Sequence, residues 1–157
     1  MKAASVQEIK KELTAASPAT LVAFCLRLAR HKKENKELLT YLLFEAQDEQ
    51  GFIRQVNEEM AEGFTTINNR QLYLAKKTVR KVLRIANKHI KFAATKSAEA
   101  EIRLEFCRLF KKQDLPMGKA SVLGNLYLGQ IKKIQVAIAS MHEDLQYDYQ
   151  RQLDRLL

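Results

Sequence analysis

Proton transfer or metal binding at neutral pH falls first to histidine, and this chain has three: His31, His89 and His142. The hydrophobic periodicity described below places them on three different helices, so neither HExxH nor another paired-ligand spacing exists. His142, Glu143, Asp144 and Asp148 are the densest group of ligand-type side chains. On a helix, positions 142, 143 and 144 point in three directions, and Asp144 and Asp148, four apart, suit ion pairs with Arg151 or Arg155. A carboxylate site inside a bundle would need paired Glu-x-x-His motifs, which are missing. Gly118-Lys119-Ala120-Ser121 has a faint likeness to a phosphate loop, but it lacks the first glycine and follows no strand, so a helix-opening turn is expected. Cys25 and Cys107 lie in no CxxC or Cys/His spacing, and both are expected as small apolar core residues in a reducing compartment. No catalytic residue, metal ligand or cofactor-binding residue is assigned, which puts a small helical enzyme third among the functions considered.

Binding chemistry is more visible. Between Glu62 and Glu99 there is no acidic residue, whereas Arg70, Lys76, Lys77, Arg80, Lys81, Arg84, Lys88, Lys91 and Lys96 all fall there. These nine cations match the formal net charge of +9, so the rest of the chain is balanced. Wound at ~100° per residue, Arg70, Lys77, Lys81, Arg84, Lys88 and Lys91 share a stripe about 100° wide, with Arg80 at its edge and Tyr73 within it. Leu72, Ala75, Val79, Val82, Leu83, Ala86 and Ile90 lie opposite. Like charges at i and i+4 destabilise a helix by a few tenths of a kcal/mol per pair, so something must compensate. Acids on neighbouring helices, such as Glu58, Glu59, Glu99, Glu101 or Asp144, could neutralise the ladder within the chain. Alternatively the stripe, Tyr73 included, is an anion-binding face for a nucleic-acid backbone or other polyanion, with an acidic protein or a membrane surface as further partners.

The elements that would position these groups are all helical. Five glycines and two prolines leave little turn material for a many-stranded fold, and 157 residues suffice for a single all-helical domain. Ser5 and Glu8 read as a capping box, and Ser17-Pro18 opens a second helix with Leu21, Val22, Cys25, Leu26 and Leu28 inward. A third helix over about 34–47 is apolar on almost every side, which predicts burial. Phe52, Val56, Met60, Phe64 and Ile67 stripe a fourth, after which Asn68-Asn69 reads as break and cap. The basic helix spans about 70–93. Thr95 to Ser97 then leads to a sixth helix ending before Asp114 to Gly118. From Lys119 the apolar spacing continues through Ile131, Ile138, Leu145, Tyr149 and Leu156, enough for one helix of about 37 residues and ~55 Å. That exceeds the width of a domain of this size, so a break near 140–144 is expected, or a homodimer that uses the overhanging C-terminal helix, with Tyr147 and Tyr149 facing the partner.

The stretch SPATLVAFCLRLARHKKENKELLTYLLFE resembles a HEAT-type helical pair. That hairpin and the tail HEDLQYDYQRQL are similar to a group of small bacterial all-helical proteins without assigned activity. For the roughly seven helices read from the spacing, the resemblance implies stacked antiparallel hairpins, a HEAT-like array or irregular bundle, and supplies no site residue. With no apolar h-region at the N-terminus and no run near ~18 apolar residues, a cytoplasmic protein without a membrane span is expected. The expected function is non-enzymatic: a basic helix face presented to nucleic acid. A structural adaptor that binds protein or self-associates is the alternative.

Overall fold

The computed structural model describes residues 1–157 and is all-helical, with eight α-helices and no strand. The chain divides into two compact units, Met1–Phe44 and Glu45–Leu157.

In the N-terminal unit, α1 spans Val6–Ala15, α2 Pro18–His31 and α3 Lys33–Thr40. Ser5 caps α1 in a reciprocal box: its hydroxyl accepts from the Glu8 amide at 3.3 Å, and the Glu8 carboxylate accepts from the Ser5 amide at 2.7 Å. The same contacts, the Ser5 hydroxyl foremost, hold the Glu8 carboxyl below its usual range. Ser17 caps α2 with Pro18 in its first turn. The backbone beyond α3 widens into a single π-helical turn, Tyr41–Glu45. The all-round apolar segment expected over 34–47 is therefore an α-helix that hands over to a π turn. Its burial is also corrected, because Leu42, Leu43 and Phe44 are exposed and Tyr41 alone is buried. The inward set proposed for α2 is likewise corrected: Val22, Leu26 and Leu28 are exposed, as is Cys25. The cause is shared. Three short helices, of which only α2 and α3 pack closely, cannot surround their own apolar surface.

In the C-terminal unit, α4 spans Glu49–Thr65, α5 Leu72–Ala93, α6 Lys96–Lys111, α7 Val122–Ala139 and α8 Glu143–Asp154. α6 is the hub, packing on α4, α5, α7 and α8. Its Ile102, Phe106, Cys107 and Phe110 are fully buried. Phe64 of α4 lies 5.8 Å from Phe106 and 6.4 Å from Phe110, and Tyr127 of α7 meets Phe110 edge-on at 5.9 Å. Asp48, Thr95 and Ser121 cap α4, α6 and α7 with side-chain oxygens that accept amide hydrogens. Ser121 accepts from Gly124 at 3.0 Å, which makes Gly118-Lys119-Ala120-Ser121 a helix-opening turn.

The expected break in the C-terminal helix falls at Ser140 to His142. Its apolar stripe does not overhang: Ile131, Ile134, Ile138, Tyr149, Leu153 and Leu156 are buried within the unit, leaving Leu145 and Tyr147 exposed. The seam expected to pair two copies through the C-terminal helix is thus taken up by the chain's own core. Asn68 and Asn69 mark the α4–α5 break but do not cap α5. Asn68 accepts from the Arg70 amide at 3.0 Å and Asn69 donates to the Gln113 carbonyl at 3.1 Å, while α5 starts two residues later, after Gln71.

Candidate nucleic-acid interface

α5 is an amphipathic helix whose two faces differ in chemistry. On its back, Ala75, Val79, Val82, Ala86 and Ile90 are buried against α4 and α6. Burying a Val or Ile side chain contributes about 1.5–3 kcal/mol, against a few tenths per like-charge pair on the front, so packing outweighs the repulsion. Leu72 and Leu83, assigned to the same back face, are exposed and half-buried.

On the front, Lys77, Arg80, Lys81, Arg84 and Lys91 are exposed, and Tyr73 is 67% exposed. Lys88 is half-buried and is not a free member of the row. Arg70, assigned to the ladder as a helical residue, lies instead in the turn that precedes α5, where it is exposed. The helical part of the row therefore runs from Lys77 to Lys91, about 21 Å at ~1.5 Å per residue. The Lys77 ammonium sits 4.6 Å from the centroid of the Tyr73 ring, joining the aromatic to the cations.

Of the five acids that could have neutralised this face, four lie against other groups, and Glu58 forms no ion pair with it. Glu59 meets Nε2 of His89 at 2.8 Å. Glu99 pairs with Lys96 and with Arg103, each at 3.1 Å. Glu101 accepts from the Tyr149 hydroxyl at 2.6 Å and from Gln50 at 3.2 Å. Asp144 lies 3.3 Å from His142 at the start of α8. Arg70, Lys77, Arg80, Lys81, Arg84 and Lys91 form no ion pair within the chain.

The row borders a shallow groove of about 640 Å³, whose wall includes Lys77, Arg80, Lys81 and Arg84 together with Thr66, Thr78 and Asn87. Sequence periodicity gives the cations but misses these neutral hydrogen-bonding groups. Asn87 is the informative one, because its Oδ1 accepts at 3.0 Å from the guanidinium of Arg103. Arg103 is buried on α6 and also donates to Gln130 of α7 at 2.7 Å and to Glu99. Asn87 at the groove is thereby fixed by a network that runs into the core.

The other candidate chemistry disperses. His89 lies between Phe52 and Phe92, with ring centroids 5.4 and 5.7 Å away. His31 is on α2, and His142 caps α8 by accepting from the Asp144 amide at 3.3 Å. No three His, Cys, Asp or Glu side chains converge as a metal site. Burial pushes the Cys107 thiol up to about 12, and burial first, then the bond to Glu101, raises the Tyr149 phenol. Both remain protonated near neutrality. No helix is long and apolar enough to cross a membrane. Comparison with known protein families, with curated proteins and with solved structures gives no match.

Proposed function

We propose that this chain is a non-enzymatic binding protein whose α5 face holds the phosphate backbone of a nucleic acid. The observation that carries the proposal is the exposed row Lys77, Arg80, Lys81, Arg84 and Lys91, unpaired although every neighbouring helix carries acids. Cations four residues apart on a helix rise about 6 Å, close to twice the ~3.4 Å axial spacing of phosphates along one duplex strand. Lys77 with Lys81 and Arg80 with Arg84 have that spacing, so two pairs of the row match alternate phosphates, and Lys91 lies about 10.5 Å beyond Arg84. Thr66, Thr78 and Asn87 offer neutral donors along the same groove, and Tyr73 offers a ring face to an unstacked base. With no element that enters a groove to read base edges, the contact is to backbone and is tolerant of sequence.

The test is fluorescence anisotropy with labelled single- and double-stranded oligonucleotides. Changing Lys77, Lys81, Arg84 and Lys91 together to Glu is expected to abolish binding. Changing Lys112, Lys119, Lys132 and Lys133 to Glu alters net charge equally but leaves α5 untouched, and is expected to retain most of the affinity. Equal loss in both variants would reduce the effect to net charge and refute a role for α5. The adaptor alternative draws support from a different place, the exposed apolar side chains of the N-terminal unit.

A further inference from the structure

The N-terminal unit carries a groove of about 620 Å³ between α1 and α2, floored by Ile9, Leu13, Phe24 and Leu28. Glu8 and Glu12 stand on its α1 wall, and Arg27 and His31 on its α2 wall. We infer that this groove is the interface through which two copies of the chain associate.

Two observations choose a second copy as the occupant. The first is area. A standard interface buries ~800 Å² per partner, a little over half of it apolar, and so needs about 450 Å² of apolar surface on each side. Ile9, Leu13, Phe24 and Leu28, exposed by 47, 39, 50 and 59%, line the groove, and Val6, 81% exposed, lies one turn before Ile9 on α1; with Val6 they supply roughly that amount. A patch of that size falls within the ~300–600 Å² of the largest apolar patch on a typical monomer, and such patches are often functional. The second is charge. A groove with an acidic wall and a wall carrying Arg27 is complementary to itself: a two-fold axis along the groove lays the Glu8 and Glu12 wall of each copy on the Arg27 wall of the other. Closed dimers require such a self-matching surface, and a second copy meets that condition without any further coincidence.

Light scattering coupled to size-exclusion chromatography tests the inference. The wild-type chain is expected to be a dimer at micromolar concentration. Glu12→Arg and Arg27→Glu are each expected to weaken association about tenfold or more, with helicity by circular dichroism unchanged. An equimolar mixture of the two variants should recover the dimer mass, because each copy then offers the wall the other lacks. A wild-type monomer throughout that range overturns the inference, and its sedimentation with phosphatidylglycerol-containing vesicles would make a lipid surface the occupant instead. A dimer indifferent to both substitutions also overturns it, since the interface would lie elsewhere.

Discussion

Arg103 is the one buried cation of the chain, and it is held by groups from three helices: Glu99 on its own helix, Asn87 on α5 and Gln130 on α7. Removing one partner of a buried pair typically costs about 3–5 kcal/mol, so Arg103→Ala is expected to lower the unfolding free energy from urea titration by about 3–5 kcal/mol. Burial alone would raise the Glu99 carboxyl, but hydrogen bonds from Lys96 and Arg103 outweigh it and hold the group below its ordinary value of 4.5. A carboxyl depressed by folding stabilises the native state above its unfolded pKa and loses that contribution as the pH falls through the folded one. Urea titrations should therefore show stability falling below about pH 4.5, and Glu99→Gln should flatten that fall. Ala94 ends α5 in the left-handed region at φ 55°, where a Cβ is strained. Ala94→Gly is expected to raise stability by about 0.5–1 kcal/mol. The two thiols should separate in a reaction with Ellman's reagent: Cys25 reacts in the folded protein, and buried Cys107, with its thiol pushed up to about 12, reacts only on unfolding. Little of this was legible in the sequence. Arg103 and Glu99 are visible as an i, i+4 pair, but Asn87 and Gln130 join them only through packing, and an exposed Cys25 contradicts the preference of cysteine for cores.

Periodicity is a property of a single helix, so element-scale features were the most legible. The caps at Ser5 and Ser17, the break after α7 and the two-faced character of α5 all follow from local spacing and short-range hydrogen bonds, whereas Thr95, expected only as part of a hinge, proves to be a cap. Arg70 was misplaced because the start of α5 depends on the turn bonds of Asn68 and Asn69, the second of which reaches the distant Gln113 carbonyl. The third helix failed differently. Apolar residues on every side say that a segment should be covered, and the covering surface is not a local property. The α7 entry shows a requirement that spacing also hides: a Cβ on Gly124 would come 2.5 Å from the Gly118 carbonyl oxygen and 2.9 Å from that of Met117. Both are backbone atoms, so Gly124→Ala is expected to cost about 1–3 kcal/mol in chemical denaturation. The fully buried Phe106 of α6 should matter more, with Phe106→Ala lowering stability by about 3–5 kcal/mol.

At the scale of the molecule the chain assigns its apolar surface unevenly. Apart from Tyr41, every buried apolar residue belongs to the C-terminal unit, whereas the apolar residues of the N-terminal unit are half-buried or exposed. The net charge is equally uneven, because Lys77, Arg80, Lys81, Arg84 and Lys91 of α5 form no ion pair, whereas Lys96, Arg103 and Arg108 of α6 pair with acids. Composition announced a basic protein, and periodicity located the excess. Only the three-dimensional arrangement shows that Glu59, Glu99 and Glu101 meet other groups, which leaves Lys77, Arg80, Lys81, Arg84 and Lys91 without an ion pair and motivates the proposed phosphate-binding face. The salt dependence of nucleic-acid affinity tests that face most directly. With four to six phosphates neutralised, the logarithm of the association constant should fall against the logarithm of salt with a slope between about −3 and −5. Changing Lys77, Lys81, Arg84 and Lys91 to Glu should leave no measurable binding from which a slope could be drawn. A wild-type affinity indifferent to salt, or a slope unchanged by those four substitutions, would contradict the assignment of α5 as the phosphate-binding face.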